Sequence, residues 1–282
     1  MARILDGKIL SEKIKNNLQI EIKELKKKNI FPGLAVVLVG DDPASKIYVG
    51  SKEKACRELG IHSKVFRLGK DAAEKEILEL LESLNADKEI HGILVQLPLP
   101  KHIDEKKIIE AIDPKKDVDC FHPENVGRLM VGNGQIFPCT PAGVMEILKE
   151  YNIEIAGKDA VVVGKSNIVG KPMAAMLLNA GATVTVCHSK TTNLKEKILG
   201  AEILVSAAGK PGLITVDMVK PGVVVIDVGI NRNAEGRLTG DVDFEKVSRV
   251  AGAITPVPGG VGPMTIAMLM KNTVVAATRI YE

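Results

Sequence analysis

The sequence lacks the features that mark several classes of protein. Its four cysteines, Cys56, Cys120, Cys139 and Cys187, lie far apart and form no CxxC pair, which argues against a disulfide framework and against a zinc ribbon. No segment reaches the roughly 18 uninterrupted apolar residues of a membrane-spanning helix. The net charge is only +3 and is spread along the chain, so it offers no argument for binding to nucleic acid or to an acidic membrane.

The N-terminal segment also has no apolar stretch ahead of its charged residues, as a secretion signal would. We therefore expect a cytoplasmic protein with free thiols and with neither nucleic acid nor a membrane as a partner. Its 282 residues suggest two domains, on a prior of roughly 150 residues each. Contents of 45% apolar and 26% charged residues are typical of a globular enzyme.

What the sequence does contain is an alternation of short apolar runs and longer helical patterns. Strands are expected at 34–39 and 91–96, and helices at 8–29, 45–59 and 72–85. Further strands are expected at 159–164, 183–187, 202–207, 223–228 and 252–255, followed by a buried helix at 264–279. This rhythm predicts βαβ units and mostly parallel sheets, which is an α/β fold.

A loop rich in glycine and proline, at 132–141, interrupts the alternation. Within it, Thr140 can cap a helix that has Pro141 at its first position. We therefore place a domain boundary there, with a second doubly wound sheet beyond it.

The segment VVVGKSNIVGKP at 161–172 is typical of a strand that runs through a turn into a helix. Gly164 would let the backbone approach a phosphate group at the helix N-terminus, and Ser166 could cap the helix or donate to the phosphate. Gly170 and Pro172 stand where the helix would pack closely on the strand. The second glycine of a GxGxxG loop is missing, so the segment alone leaves open a plain turn between two core elements.

The next strand ends in CHSKT, where NAD-binding proteins usually carry an acidic residue that accepts the ribose hydroxyl groups. A carboxylate would repel the 2′-phosphate of NADP, whereas Ser189 and Lys190 could bind it. This strand end therefore favours NADP over NAD. The loops at 206–209 and 228–231 follow two further strands, and their small residues would leave room for a ribose and a nicotinamide ring.

In the first half of the chain, Tyr48 and Lys52 are four residues apart in a helical pattern and so project from one face. A lysine beside a tyrosine in an apolar cleft can transfer protons near neutral pH, although a solvated lysine is the ordinary alternative. The YxxxK spacing also occurs in short-chain dehydrogenases. In those proteins the cofactor loop precedes the YxxxK helix, whereas here Gly164 follows it, so that interpretation is disfavoured.

Gln96 is a polar residue at the carboxyl end of an apolar strand, where the sites of α/β proteins cluster. Shortly after it, DVDCFH places Asp117, Asp119 and His122 close together. A metal ion could bind there, but the chain offers no ligand pair at the helical HxxxH spacing, so we expect no metal. A carboxylate that pairs with an amino-pyrimidine edge of a substrate is the favoured interpretation.

Taken together, YVGSK at 48–52, VQLPLP at 95–100, GKSNIVGKP at 164–172 and PGGVGPMT at 258–265 resemble the bifunctional methylenetetrahydrofolate dehydrogenase/cyclohydrolase family over essentially the whole chain. The resemblance implies oxidation of 5,10-methylenetetrahydrofolate by NADP, and then hydrolysis of the methenyl product to 10-formyltetrahydrofolate, within one-carbon metabolism. It also implies a homodimer.

The resemblance further implies how the chain is divided. An N-terminal α/β domain at 1–138, completed by the final helix at 264–282, would face the folate. A Rossmann-like domain at 139–263 would bind NADP.

The resemblance assigns the substrate side of the reaction to a few residues. Lys52 would transfer protons and manage charge in the hydrolytic step, Gln96 would hold it by a hydrogen bond, and Tyr48 would stack on the folate. Asp119 would bind donor groups of the pterin. A loop that closes over the substrate would be shaped by Pro258, Gly259, Gly260 and Pro263.

On the cofactor side, the resemblance assigns the phosphate loop to Gly164, Lys165 and Ser166, the 2′-phosphate to Ser189 and the nicotinamide to Ile230. Lys165 stands where the family often has arginine; it keeps the charge but loses the bidentate fork, which leaves the strength of the NADP preference open.

Two other features bear on the function. Cys120 replaces the glycine that usually follows DVD, a change in the turn that carries Asp119. Two alternatives remain: an NAD-dependent dehydrogenase with little cyclohydrolase activity, and a non-catalytic folate or nucleotide sensor on the same fold. Lys52 and Gln96 argue against the sensor, which would not need a proton-transfer pair.

Overall fold

The computed structural model describes residues 1–232 and 236–280, and it divides the chain into two compact units. One unit comprises Met1–Glu12, Leu129–Asn133 and Thr140–Thr265; we call it the six-stranded unit. The other comprises Lys13–Arg128, Gly134–Cys139 and the segment from Ile266, and we call it the three-stranded unit. The predicted domain bounds, 1–138 with 264–282 and 139–263, stay a prediction about which segments serve the substrate and which the cofactor.

The elements alternate as the sequence predicts. The first half contains β1 (Arg3–Ile4), α1 (Gly7–Lys27), β2 (Gly33–Val39), α2 (Pro43–Leu59), β3 (His62–Leu68), α3 (Glu74–Ala86), β4 (Gly92–Val95), α4 (Glu105–Glu110) and α5 (Pro123–Met130). The second half contains α6 (Cys139–Glu150), β5 (Asp159–Val163), α7 (Gly170–Asn179), β6 (Thr183–Cys187), α8 (Leu194–Leu199), β7 (Ile203–Ser206), β8 (Val224–Asp227), β9 (Asn231–Arg232), β10 (Leu238–Thr239), α9 (Phe244–Val247), β11 (Ala253–Ile254) and α10 (Val261–Ile280). The strands and helices expected from the sequence are confirmed, and so is the α/β class.

The six-stranded unit is built on one parallel sheet with the strand order β1-β11-β8-β7-β5-β6. Apolar side chains of the central strands, such as Val161, Leu204 and Val225, are buried in its core. The register pairs Val163 with both Cys187 and Ser206, and it pairs Ser206 with Asp227. The loops that follow these four strands therefore leave the sheet at the same edge.

The three-stranded unit contains a parallel sheet with the order β3-β2-β4. Every residue of the central strand β2 is buried, as expected of a strand covered on both faces. After β2 the chain turns into α2, where the Asp42 carboxylate accepts a hydrogen bond from the Ser45 N–H at 2.7 Å and Pro43 occupies the first turn. The left-handed Gly60, with φ of 72°, ends this helix.

The final helix α10 is buried along much of its length, as predicted, with Met264, Ala267 and Val274 fully covered. Among the helices that the structure describes, none combines the length and apolarity needed to cross a bilayer.

The prediction that Thr140 caps the next helix is wrong. Helix α6 already begins at Cys139, so Thr140 lies within its first turn. The hydroxyl oxygen of Thr140 lies 3.0 Å from that of Thr265, with which it shares a hydrogen bond.

Candidate functional site

Lys52 and Gln96 meet at the carboxyl edge of the three-stranded sheet. Gln96 directly follows β4, and its backbone N–H donates to the Val37 carbonyl at 2.8 Å, which extends the pairing of β4 with β2. The side-chain Nε2 of Gln96 donates to the Leu97 carbonyl at 2.7 Å. This bond orients the amide so that its Oε1 accepts a hydrogen bond from Lys52 Nζ at 2.9 Å. The lysine is thereby held in one position although it projects from the side of a helix.

Tyr48 lies one turn before Lys52 on α2, as the spacing predicts. The tyrosine is 37% exposed, whereas Lys52 and Gln96 are half-buried. An accessible aromatic ring thus lies on the same helix face as a lysine side chain that is held in one position. The stacking role that the family resemblance gives Tyr48 stays a prediction.

The two carboxylates of the DVD motif have different environments. Asp117 is buried, and its carboxylate accepts hydrogen bonds from the N–H groups of Phe121 and His122 at 3.2 and 2.9 Å and from Asn125 Nδ2 at 2.9 Å. These bonds fix the turn, so Asp117 serves the structure. Asp119 therefore remains as the carboxylate of this motif that could bind a substrate.

The environment of Asp119 makes its carboxyl group unusually basic. Burial raises the pKa of Asp119 to about 6, against the opposing effect of the Lys52 charge, and the Asp117 charge adds to the rise. The Cys139 thiol donates a hydrogen bond to Asp119 Oδ1 at 3.7 Å. Burial also raises the pKa of Cys139 well above its usual value, so this thiol keeps its proton. Lys52, Asp119 and Cys139 thus form one interacting group.

The turn that carries Asp119 survives the replacement of glycine by Cys120. Cys120 has a φ of 60°, in the left-handed region that glycine adopts most easily. Its buried thiol donates to the Ile136 carbonyl at 3.3 Å. Although this residue is a cysteine and not the glycine of the family pattern, its backbone adopts the left-handed conformation in this turn.

Asn272 holds the same region from α10, and sequence analysis did not single it out. The buried Nδ2 of Asn272 donates to the carbonyl groups of Val118 and Phe137, both at 2.8 Å. These bonds tie the segment before Asp119 to the segment before Cys139. The available signal was an asparagine within an otherwise apolar helix, which by itself indicates no particular partner.

In the six-stranded unit, the loop between β5 and α7 is tightly folded. Gly164 has a φ of 138°, and a Cβ atom there would collide with the Ala207 carbonyl oxygen. A Cβ atom on Gly170 would collide with the Gly164 carbonyl oxygen. This loop therefore needs glycine at both ends, and Gly170 supplies the close approach that a second glycine within GxGxxG would supply elsewhere.

Ser166 organises the inside of this loop. Its hydroxyl oxygen accepts hydrogen bonds from the N–H groups of Val169 and Gly170 at 3.2 and 3.3 Å, at the start of α7. Because the oxygen accepts in both bonds, the hydroxyl proton remains to be donated to a ligand. Lys165 and Ser166 are both exposed. A phosphate group fits this arrangement, since a cation and a hydroxyl donor lie together at the positive end of the α7 dipole.

The turn after β6 lies beside this loop, because the Gly164 N–H donates to the Cys187 carbonyl at 2.8 Å. His188 closes the turn: its N–H donates to Thr191 Oγ1 at 2.8 Å, and its ring Nδ1 accepts from the Lys190 N–H at 3.2 Å. Ser189, between them, is exposed. The turn thus presents the Ser189 hydroxyl group and the exposed cationic side chain of Lys190 where an NAD site would carry a carboxylate.

The remaining predicted residues also lie in the six-stranded unit. Ile230 follows β8 and is 49% exposed, an accessible apolar side chain in the loop predicted to adjoin the nicotinamide. In the Pro258–Pro263 segment, Gly259 has a φ of 104°, and its carbonyl accepts a hydrogen bond from the Lys8 N–H at 2.9 Å. The next residue, the buried Gly260, packs closely on Gly7. The start of α1 therefore anchors this loop.

The fold and these residues define a class: a two-unit α/β protein of the dehydrogenase type, in which one unit carries a dinucleotide-type loop and the other a lysine–glutamine–aspartate group. Residues 5–119 match the family model described as the tetrahydrofolate dehydrogenase/cyclohydrolase catalytic domain. Residues 138–281 match the NAD(P)-binding domain of the same family. The chain belongs to the tetrahydrofolate dehydrogenase/cyclohydrolase family, which confirms the resemblance seen in the sequence.

Individual relatives agree. The bifunctional protein FolD of Acetivibrio thermocellus is 63% identical over 276 residues, which cover 98% of this chain and 97% of that protein. The crystal structure of the bifunctional FolD from Campylobacter jejuni superposes with a TM-score of 0.98 at 56% identity, covering 99% of this chain and 100% of the other. The Trypanosoma brucei enzyme, solved with NADP and an inhibitor, gives 0.96 at 39% identity and covers 100% of this chain and 99% of the other.

Proposed function

We propose that this chain oxidises 5,10-methylenetetrahydrofolate to 5,10-methenyltetrahydrofolate with NADP and then hydrolyses the product to 10-formyltetrahydrofolate. Family membership over both units supports the two activities. The main structural support for the hydrolytic activity is the hydrogen bond of 2.9 Å from Lys52 Nζ to Gln96 Oε1. A fixed amine beside the Asp119 carboxyl suits proton transfer, and a protein that only sensed folate would have no use for it.

In the first step a hydride leaves the bridging carbon of the substrate, and NADP supplies the acceptor for it. The product is a methenyl cation, with its charge shared between N5 and N10. Gly164 and Ser166 bind the cofactor phosphates, Lys165 contributes charge and Ser189 contacts the 2′-phosphate. Ile230 lies against the nicotinamide. The exposed cation and hydroxyl groups described above support these roles.

In the second step water adds to the methenyl carbon. A proton of this water passes to the Lys52 amine, the bond between the carbon and N5 breaks, and N5 takes up a proton as it leaves. The balance is one methenyl cation and one water giving 10-formyltetrahydrofolate and one proton. Gln96 keeps the amine in place, because its oxygen accepts from Nζ while its own amide is fixed by Leu97. A positioned group of this kind contributes about 10²–10⁴-fold to the rate of such a step.

The remaining contacts hold the folate. The Asp119 carboxylate accepts hydrogen bonds from the pterin amino group and ring N–H, and Tyr48 stacks on the ring system. The close-packed turn of Pro258, Gly259, Gly260 and Pro263 shapes the loop over the substrate. The half-buried position of Asp119 supports its role, since a hydrogen bond to a charged group in such surroundings is stronger than one in water.

The chain also acts in the cytoplasm and as a homodimer. Strand β6 lies at the end of its sheet, and its residue Val186 is 40% exposed. Leu178 of α7 and Leu199 of α8 are 52% and 38% exposed. A sheet edge flanked by exposed apolar side chains is commonly covered by a partner, and a second copy of the chain would cover it. Sedimentation equilibrium is expected to give twice the mass of the chain; the mass of a monomer at micromolar concentration would contradict this.

The bifunctional assignment is tested by following both reactions in one preparation of the wild-type protein. With methylenetetrahydrofolate, NADP should be reduced at a higher kcat/KM than NAD. With methenyltetrahydrofolate and no cofactor, the absorbance of the methenyl cation should decay faster than it does in buffer. A preparation that reduces NAD but not NADP, or that leaves methenyl decay at the buffer rate, would contradict the assignment.

A further inference from the structure

The fully buried carboxylate of Asp241 lies beneath two loops of the six-stranded unit. One is the loop at 206–210, which follows β7, and the other begins after β8 and includes Asn231. Oδ2 accepts from Ser206 Oγ at 3.1 Å, the Ala208 N–H at 2.7 Å and the Gly209 N–H at 3.2 Å. Oδ1 accepts from the Lys210 N–H at 2.8 Å and Asn231 Nδ2 at 2.9 Å. One carboxylate thus ties together two segments that are not consecutive in the chain.

The surroundings leave this carboxylate little freedom. A Cβ atom on Gly229 would collide with the Asp241 carboxyl group, so the loop after β8 passes directly over it. A second buried acid, Asp227, accepts from the N–H groups of Gly229, Asp241 and Val242, all at 3.0 Å. Asp241 is therefore fixed through its backbone as well as through its side chain.

The bonds to Asp241 also determine what the loop at 206–210 offers to a ligand. In a peptide unit the N–H and the C=O point in opposite directions. Since the N–H groups of Gly209 and Lys210 point at Asp241, the carbonyl groups of Ala208 and Gly209 point away from it. A loop arranged in this way presents acceptors for a ligand that carries amide N–H donors, as the carboxamide of a nicotinamide does.

We propose that Asp241 is a positioning residue for the cofactor: it sets the loops at 206–210 and 228–231 in the arrangement that binds the nicotinamide half of NADP. The inference rests on the proposed function. Both loops leave the sheet at the edge where Gly164 lies, since the Ala207 N–H donates to the Val163 carbonyl and the Val228 N–H to the Ser206 carbonyl, both at 2.8 Å. Asp241 itself is buried and acts through the loops that it holds.

The test compares Asp241→Asn with Asp243→Asn. Asparagine has nearly the size of aspartate but turns an NH₂ group toward the N–H donors around position 241. The half-buried Asp243 instead caps α9, and its carboxylate accepts hydrogen bonds from the N–H and Nζ of Lys246. In Asp241→Asn the Kd for NADP, measured by equilibrium titration, should rise by about tenfold or more, as expected for hydrogen bonds lost to a charged acceptor. Methenyl hydrolysis, which needs no NADP, should stay within about twofold of wild type, as it should in the control.

An unchanged Kd for NADP in a folded Asp241→Asn protein would overturn the inference, and so would a parallel loss of NADP binding and hydrolysis. If this variant does not fold, Ser206→Ala tests the same inference, because the fully buried Ser206 side chain donates a hydrogen bond to the Asp241 carboxylate. It should raise the Kd for NADP by about threefold, since it removes one hydrogen bond to the Asp241 carboxylate and leaves those from the backbone N–H groups in place, and an unchanged value would overturn the inference. Wild-type protein that does not bind NADP at all would instead contradict the proposed function.

Discussion

Gly170 packs so closely on Gly164 that a side chain on Gly170 would overlap the Gly164 carbonyl oxygen. This contact draws the loop between β5 and α7 into a closed turn, with Ser166 bonded to the backbone inside it. The chain therefore achieves the close approach of a dinucleotide loop with glycines six positions apart.

Gly170→Ala should consequently open this loop. Backbone atoms surround the added methyl group and have no flexible side chain that could move aside, so we expect the free energy of unfolding to fall by about 1–3 kcal/mol. The Kd for NADP should rise at least about tenfold, because the phosphate-binding groups lie on the displaced loop. Thermal unfolding and equilibrium titration measure the two effects.

Gly127→Ala is the matched control. Gly127 lies in the exposed part of α5, and a Cβ atom there would meet nothing within 4 Å. This substitution should leave NADP binding alone and raise stability by up to about 1 kcal/mol through helix propensity. Wild-type NADP affinity in Gly170→Ala would show that the tight loop does not bind the phosphates.

Ser189→Asp tests the choice between the two cofactors. A carboxylate at this exposed position would repel the 2′-phosphate of NADP, whereas NAD has no charge there. We expect affinity for NADP to fall by about tenfold, corresponding to about 1.4 kcal/mol, while affinity for NAD changes by less than about twofold. Titrations of both cofactors provide the comparison.

Ser189→Asn serves as the uncharged control for this experiment. It changes the size and the donor group at position 189 without adding a charge, and so it should weaken NADP less than the aspartate does. Equal losses of NADP and NAD affinity in Ser189→Asp would exclude a 2′-phosphate contact at this residue.

The raised pKa of Asp119 predicts how folate binding depends on pH. Burial raises this pKa to about 6, so the carboxyl group loses its charge as the pH falls through about 6. A neutral carboxyl group accepts hydrogen bonds less strongly than a carboxylate. The KM for methylenetetrahydrofolate should therefore increase as the pH is lowered from 8 to about 5, and Asp119→Asn should have a high KM that this titration no longer changes.

The same shift has a consequence for stability. A folded-state pKa above the unfolded value of 3.8 means that the folded protein holds this proton more tightly. Protonation of Asp119 therefore stabilises the folded protein. This contribution to the free energy of unfolding is present in full below about pH 4 and is lost as the pH rises through about 6. Asp119→Asn should exceed wild type in free energy of unfolding at pH 8, by a margin that narrows toward pH 5. A margin that is constant with pH would contradict the raised pKa.

Much of this architecture could be predicted from local patterns. Apolar alternation located the strands, and the four-residue spacing placed Tyr48 and Lys52 on one face of α2. The contacts that shape the sites could not be predicted in this way, because they join distant segments. Asp241 bonds to Ser206, 35 residues away, and Asn272 reaches the Val118 carbonyl, 154 residues away.

Local patterns also failed where the fold overrides a residue's usual preference. The Thr140 hydroxyl, expected to precede and cap a helix, lies within the first turn of α6 and bonds to Thr265. Cys120 adopts a left-handed conformation that its side chain disfavours, since the turn holding Asp119 requires it.

The central claim is that Lys52, held by Gln96, carries out the proton transfers of methenyl hydrolysis. Lys52→Met keeps an unbranched side chain that is one atom shorter, and it removes the amine. Its matched control is Lys54→Met on the same helix, where the lysine is exposed and lies 3.8 Å from Glu58. Both proteins should bind NADP within about twofold of wild type, since neither substitution lies in the six-stranded unit.

The most direct measurement is the rate of methenyltetrahydrofolate hydrolysis by Lys52→Met, followed by the loss of methenyl absorbance at saturating substrate. The rate should fall at least about a hundredfold, the lower range for loss of a positioned proton-transfer group, while Lys54→Met stays near wild type. Hydrolysis by Lys52→Met at the wild-type rate, in protein that still binds NADP, would contradict the account.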